Sequence, residues 1–64
     1  MFKIGDEVKL MKRGKIWHDF EVGKVYKVVD IRGRDLIVSN GKITQLIEAE
    51  CFQHKVNEEI IYDE

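Results

Sequence analysis

The stretch Gly23-Lys24-Val25-Tyr26-Lys27-Val28-Val29-Asp30-Ile31 is the longest β-prone run in the chain, and turn or loop chemistry bounds it at both ends. With a period of two, Tyr26 and Val28 share one face while Val25, Val29 and Ile31 share the other. The run is therefore apolar on both sides, the pattern of a strand covered on two faces. A chain of 64 residues has no room for two covering layers. The architecture expected is a small, strongly bent barrel in which one strand serves both faces.

That length allows one domain and one modest core, near the lower limit for a chain that stabilises itself without disulfides or metal. Scaling typical stability per residue gives roughly 3–10 kcal/mol for the whole fold. Large side chains such as Tyr26 and Phe52 are therefore assigned to the core. A hydrophobic content of 44% beside 36% charged residues is that of a globular domain. No apolar run approaches the ~20 residues that cross a bilayer, and the N-terminus lacks a signal-peptide core. A single cysteine, Cys51, forms no internal disulfide, in keeping with a reducing compartment, and a cytoplasmic location is expected.

Ahead of the central run, Val8 and Leu10 share a face in Val8–Lys12, which reads as strand one, with Phe2 or Ile4 folding back as a lid on the barrel end. Beyond it, Arg32-Gly33-Arg34-Asp35 is a tight turn into a third strand, Leu36-Ile37-Val38. Asn40-Gly41 tolerates positive φ at both central positions of a type I′ turn, so Leu36–Ser39 and Lys42–Ile47 should pair as a hairpin. Glu48–Phe52 suits one 3₁₀ turn with Phe52 dropping into the core, and a last strand over Gln53–Val56 should pair with strand one. The resulting fold class is all-β, a five-stranded SH3-like barrel over residues 1–56 with a short 3₁₀ turn before the last strand. Residues 57–64 form an acidic and apolar tail, in which Ile60, Ile61 and Tyr62 either extend the last strand or meet a partner, a second copy included.

Arg13–Val22 loses all periodicity and reads as a loop of about ten residues with an unusual apolar load, Ile16, Trp17 and Phe20. One reading has Ile16 and Phe20 plugging the barrel mouth with Trp17 packed beside them. The other makes Trp17, His18 and Phe20, with Lys12, Arg13 and Lys15, a contact surface for a partner, since Trp and Arg are enriched at binding hot spots. The candidate partner-binding set is thus Arg13, Lys15, Trp17, His18, Phe20, Ile60, Ile61 and Tyr62.

No constellation points to catalysis, a cofactor or a metal. Cys51 and His54 have half a zinc-site spacing, but no second Cys or His pair completes it. The Asp30-to-Asp35 turn reads as a solvated charged turn, and the five glycines stand singly, without a phosphate-binding loop. Net charge is −1, yet residues 1–34 hold nine Lys/Arg against five Asp/Glu, and residues 35–64 hold two against seven. The basic first half, with Trp17 and Tyr26 as a stacking platform, leaves RNA or single-stranded DNA as the alternative ligand.

Gly5-Asp6-Glu7-Val8-Lys9-Leu10, Gly23–Val29, Asp35-Leu36-Ile37-Val38 and Glu50-Cys51-Phe52 resemble the small SH3-like barrel proteins of phages and prophages. The resemblance spans nearly all of the chain to Val56 and rests on turn and core residues, so it speaks to fold more than to activity. It implies a phage-encoded protein that binds and redirects a host protein in the bacterial cytoplasm, as an adaptor or inhibitor, monomeric or weakly dimeric through the tail. The first half is also similar to the KOW motif, which implies RNA or protein binding, although here a longer loop carries Trp17-His18-Asp19-Phe20 between the motif's two parts.

Overall fold

A computed structural model describes residues 1–55. The expectations for Val56 and for the tail, including Ile60, Ile61 and Tyr62, lie outside the described residues. The chain is all-β, with five strands: β1 (Glu7–Leu10), β2 (Val25–Arg32), β3 (Asp35–Ser39), β4 (Thr44–Glu48) and β5 (Phe52–His54). A single 3₁₀ turn, Ala49–Cys51, joins β4 to β5. All pairs are antiparallel, in the order β4-β3-β2-β1-β5.

Every strand sends at least one residue into the same core: Val8 and Leu10, Tyr26 and Val28, Leu36 and Val38, Ile47, and Phe52, joined by Cys51 and by Phe20 from the β1–β2 loop. A flat sheet without a second layer would leave these side chains wet, so their burial requires the sheet to curl around them. The curl is not completed by hydrogen bonds. The expected closed barrel is corrected to an open sheet, because β4 and β5 are its two edges and do not pair with each other.

The central strand departs from its expected pattern in one respect. A β-bulge between Val28 and Asp30 places Val29 and Asp30 against Ile37 and returns Ile31 to register with Leu36. Val25, Val29 and Ile31 are 42%, 39% and 39% exposed, so the second apolar face is not buried by the described residues. Only Tyr26 and Val28 enter the core from β2.

The turns follow the same chemistry with different geometry. Gly33 has φ +61° and opens a two-residue connection between Arg32 and Asp35. At Asn40-Gly41 the hairpin forms, but Asn40 does not have positive φ, which excludes the expected type I′ turn. Ser39 instead pairs with Thr44, so β4 begins two residues later than expected. The cause is the Asn40 side chain, whose Oδ1 accepts the N–H groups of Lys42 (2.8 Å) and Ile43 (3.0 Å), while Ser39 Oγ accepts that of Gly41 (2.9 Å). At the N-terminus Phe2 packs on the core and against the His54 ring (4.5 Å between centroids), whereas Ile4 is exposed and is no lid. Asp6 pins this arm, accepting from Lys3 N–H (2.8 Å) and from His54 Nε2 (3.1 Å); these bonds, the Lys3 one foremost, hold its carboxyl below the usual aspartate range against partial desolvation.

Candidate functional site

The β1–β2 loop runs from Met11 to Lys24 and is closed at its base by backbone bonds. Gly23 N–H donates to Leu10 O (2.8 Å), Leu10 N–H to Lys24 O (3.0 Å), and Met11 N–H to Cys51 O (2.7 Å). Its middle alternates in and out: Ile16 is half-buried, Trp17 exposed, His18 buried, Asp19 exposed and Phe20 buried. Phe20 lies in the core and stacks on Tyr26, with ring centroids 4.3 Å apart and planes within 5°. Tyr26 Oη then accepts the Glu21 N–H at 2.9 Å.

His18 is fully buried and serves as a clip for the loop. Its Nδ1 accepts the Phe20 N–H (3.1 Å), which leaves the proton on Nε2 to be donated to Arg13 O (2.9 Å). The Arg13 guanidinium donates back to His18 O at 2.6 Å. Residues 13–20 are thereby tied into one turn.

The second anchor is Glu48, the last residue of β4. Its Oε2 accepts the N–H groups of Lys15 (2.8 Å) and Ile16 (3.2 Å), and its Oε1 faces the Cys51 thiol at 3.8 Å. The Lys15 bond is the main reason that the Glu48 carboxyl lies below the ordinary glutamate range, with partial desolvation opposing it. Burial, aided by the Glu48 charge, pushes the Cys51 thiol up, so Cys51 is a poor nucleophile. Gly14 makes the close approach possible: at φ +80° its added Cβ would stand 2.5 Å from Cys51 Sγ and nearer still to Glu48 Oε1.

These anchors leave Trp17 76% exposed between two inward-facing neighbours. Lys12, Arg13 and Lys15 are exposed near it in sequence, and none forms an ion pair among the described residues. The two readings of the loop therefore divide between its residues. Phe20 enters the core and Ile16 is half-buried, while Trp17 is exposed rather than packed beside them. His18 and Phe20 are withdrawn from the accessible set, since their side chains are spent on the fold. Tyr26 leaves the stacking platform for the same reason, being 6% exposed. Arg13, Lys15 and Trp17 remain on the surface. No sequence pattern points to Glu48 or Gly14, and only the period-two spacing Ile16-x-His18-x-Phe20 marks the inward residues.

Cys51 and His54 are engaged separately, one with Glu48 in the interior and the other with Asp6 outside. Among the described residues no group of three His, Cys, Asp or Glu side chains is placed to hold a metal ion. No helix among them is long and apolar enough to cross a membrane. No protein-family model, curated protein or solved structure matches the chain.

Proposed function

We propose that this chain is a non-enzymatic protein-binding module of SH3-like architecture, a phage-encoded adaptor or inhibitor that meets a host protein through the β1–β2 loop. The observation that carries the reading is Trp17: a large apolar side chain 76% exposed on a loop that its own chain holds in place through His18, Glu48 and Gly14. Holding a loop in advance lowers the entropy lost on binding. The exposed cations Lys12, Arg13 and Lys15 supply a charged rim around the anchor. The order β5-β1-β2-β3-β4, with a 3₁₀ turn leading into β5, supports the SH3-like assignment. The cytoplasm of a bacterial host is the setting that this reading implies.

The test compares capture from bacterial lysate by the native protein and by Trp17→Ala. The variant should keep its circular dichroism spectrum and lose the captured protein, a hot-spot tryptophan being worth about 2 kcal/mol or more. Equal capture by both overturns the reading. The same cations favour a second reading, RNA or single-stranded DNA binding with Trp17 as the stacking residue. As the chain's single tryptophan, Trp17 reports on it directly. Quenching of its fluorescence by oligo-U or oligo-dT, weakening steeply with salt, would favour this ligand. An unchanged signal at low salt removes it.

A further inference from the structure

His18 is a titratable side chain that the fold uses in its neutral form alone. The ring is fully buried and both of its nitrogens are engaged: Nδ1 accepts the Phe20 N–H at 3.1 Å, and Nε2 donates to Arg13 O at 2.9 Å. An imidazolium carries a proton on each nitrogen and accepts from neither. Protonation sets a donor at Nδ1 against the donor N–H of Phe20, so the bond and the charge exclude each other.

The surroundings offer that charge no compensation. The Arg13 guanidinium, which donates to His18 O at 2.6 Å, already brings one cation to the same turn. No carboxylate pairs with the ring among the described residues. On the loop itself Lys15, Asp19 and Glu21 are exposed, and Glu21 is paired with Lys24 at 3.7 Å. The elements packed against the loop add three groups. Glu48 of β4 has its Oε2 taken by the N–H groups of Lys15 and Ile16, the Cys51 thiol of the 3₁₀ turn faces Glu48 Oε1, and Tyr26 Oη of β2 accepts the Glu21 N–H. A buried cation without a counter-charge is costly, and a ring that takes up a proton must reach water. Here that means opening the turn.

The two anchors of the loop answer to different pH. Glu48 has its carboxyl below the ordinary glutamate value of 4.5, chiefly through the Lys15 N–H, so it still holds Lys15 and Ile16 at pH 5. Histidine is the side chain whose charge ordinarily changes between about pH 5 and 8. Trp17 stands at the boundary, between Ile16 on the Glu48 side and His18 itself.

We infer that His18 is a pH-sensitive clip on the β1–β2 loop: the neutral ring holds Trp17 in its outward setting, and a proton taken from water onto Nδ1 releases the Phe20 N–H and frees the turn on the far side of Trp17 while Glu48 keeps Lys15 and Ile16. That this release regulates binding rests on the reading of Trp17 as an anchor. The release itself does not, and it is tested on the free protein.

Nuclear magnetic resonance of the full chain labelled with ¹⁵N, titrated from about pH 8 to 5, follows the His18 ring nitrogens and the Phe20 amide together. At the upper end Nδ1 should show the shift of an unprotonated acceptor. As the ring gains its proton, protection of the Phe20 amide against hydrogen exchange, corrected for the intrinsic pH dependence, should fall about ten-fold or more, with the Val38 and Ile47 amides unchanged. The chain's other histidine, His54, lies against Asp6 outside the loop, so His54→Gln should leave the transition in place. A His18 ring that stays neutral down to pH 5, or Phe20 protection that is constant while the ring protonates, overturns the inference. So does a transition that disappears in His54→Gln, and so does loss of Val38 and Ile47 protection in step with Phe20, which would be unfolding of the whole domain rather than release of a clip.

Discussion

Two loops of this protein meet the same requirement, satisfying their backbone polar groups, by opposite means. The short β3–β4 loop is held by neighbours: Asn40 and Ser39 accept N–H groups no more than three residues away. The long β1–β2 loop adds to its local His18 bonds a hold from a distance, by Glu48 at 33 and 32 residues' separation and by burial of His18 and Phe20. The local device yields a turn and nothing more. The distant one makes the loop part of the core and leaves one tryptophan outside, which is what a binding surface needs from its scaffold.

The contrast breaks first at Phe20. Phe20→Ala should cost about 3–5 kcal/mol, a large share of a fold worth roughly 3–10 kcal/mol, and urea denaturation followed by circular dichroism should show a greatly lowered midpoint. Gly14→Ala comes next, at about 2–4 kcal/mol, because left-handed φ adds to overpacking against Glu48 and Cys51. The amide signals of Lys15 and Ile16 should shift with it. Gly41→Ala in the short loop is the control: φ is +97° but nothing lies within 4 Å of the added carbon, so only about 1 kcal/mol should be lost in the same denaturation assay.

Of the two loops, acid should loosen the long one. Because Glu48 binds its proton less readily when folded, its contribution is fully present above the ordinary glutamate value of 4.5 and fades as the pH falls through the lower folded value. A pH titration should therefore shift the Lys15 and Ile16 amides in step with protonation of Glu48, while Lys42 and Ile43 in the short loop hold still. The smallest effect on stability belongs to Trp17→Ala, under about 0.5 kcal/mol in thermal unfolding, since its side chain touches solvent rather than core.

Legibility in the sequence divides along the same line. The succession of strands along the chain, the hairpin at Asn40, the 3₁₀ turn and the burial of Phe52 and Tyr26 rest on patterns within a few residues, and these can be read. The type of the Asn40 turn cannot, because a side-chain amide replaces the backbone conformation that Asn-Gly suggests. The bulge at Val29 leaves no mark, since any residue can occupy it. Glu48 looks like a solvated carboxylate, and no local pattern links it to Lys15. His18 has the character of a surface group, and the two-residue alternation that sets it inside is too short to outweigh the polarity of histidine.

The Glu48 anchor also orders events in time. It joins the end of β4 to a loop that precedes β2, and contacts of such long separation form only after the intervening chain has been arranged. On a ribosome, which delivers the loop well before β4, Trp17 emerges with the local His18 bonds at hand but without its distant Glu48 anchor. Presentation of that tryptophan is then a late event, available to a partner once the hairpin of β3 and β4 is built, and the carboxylate acts as a signature of completed folding.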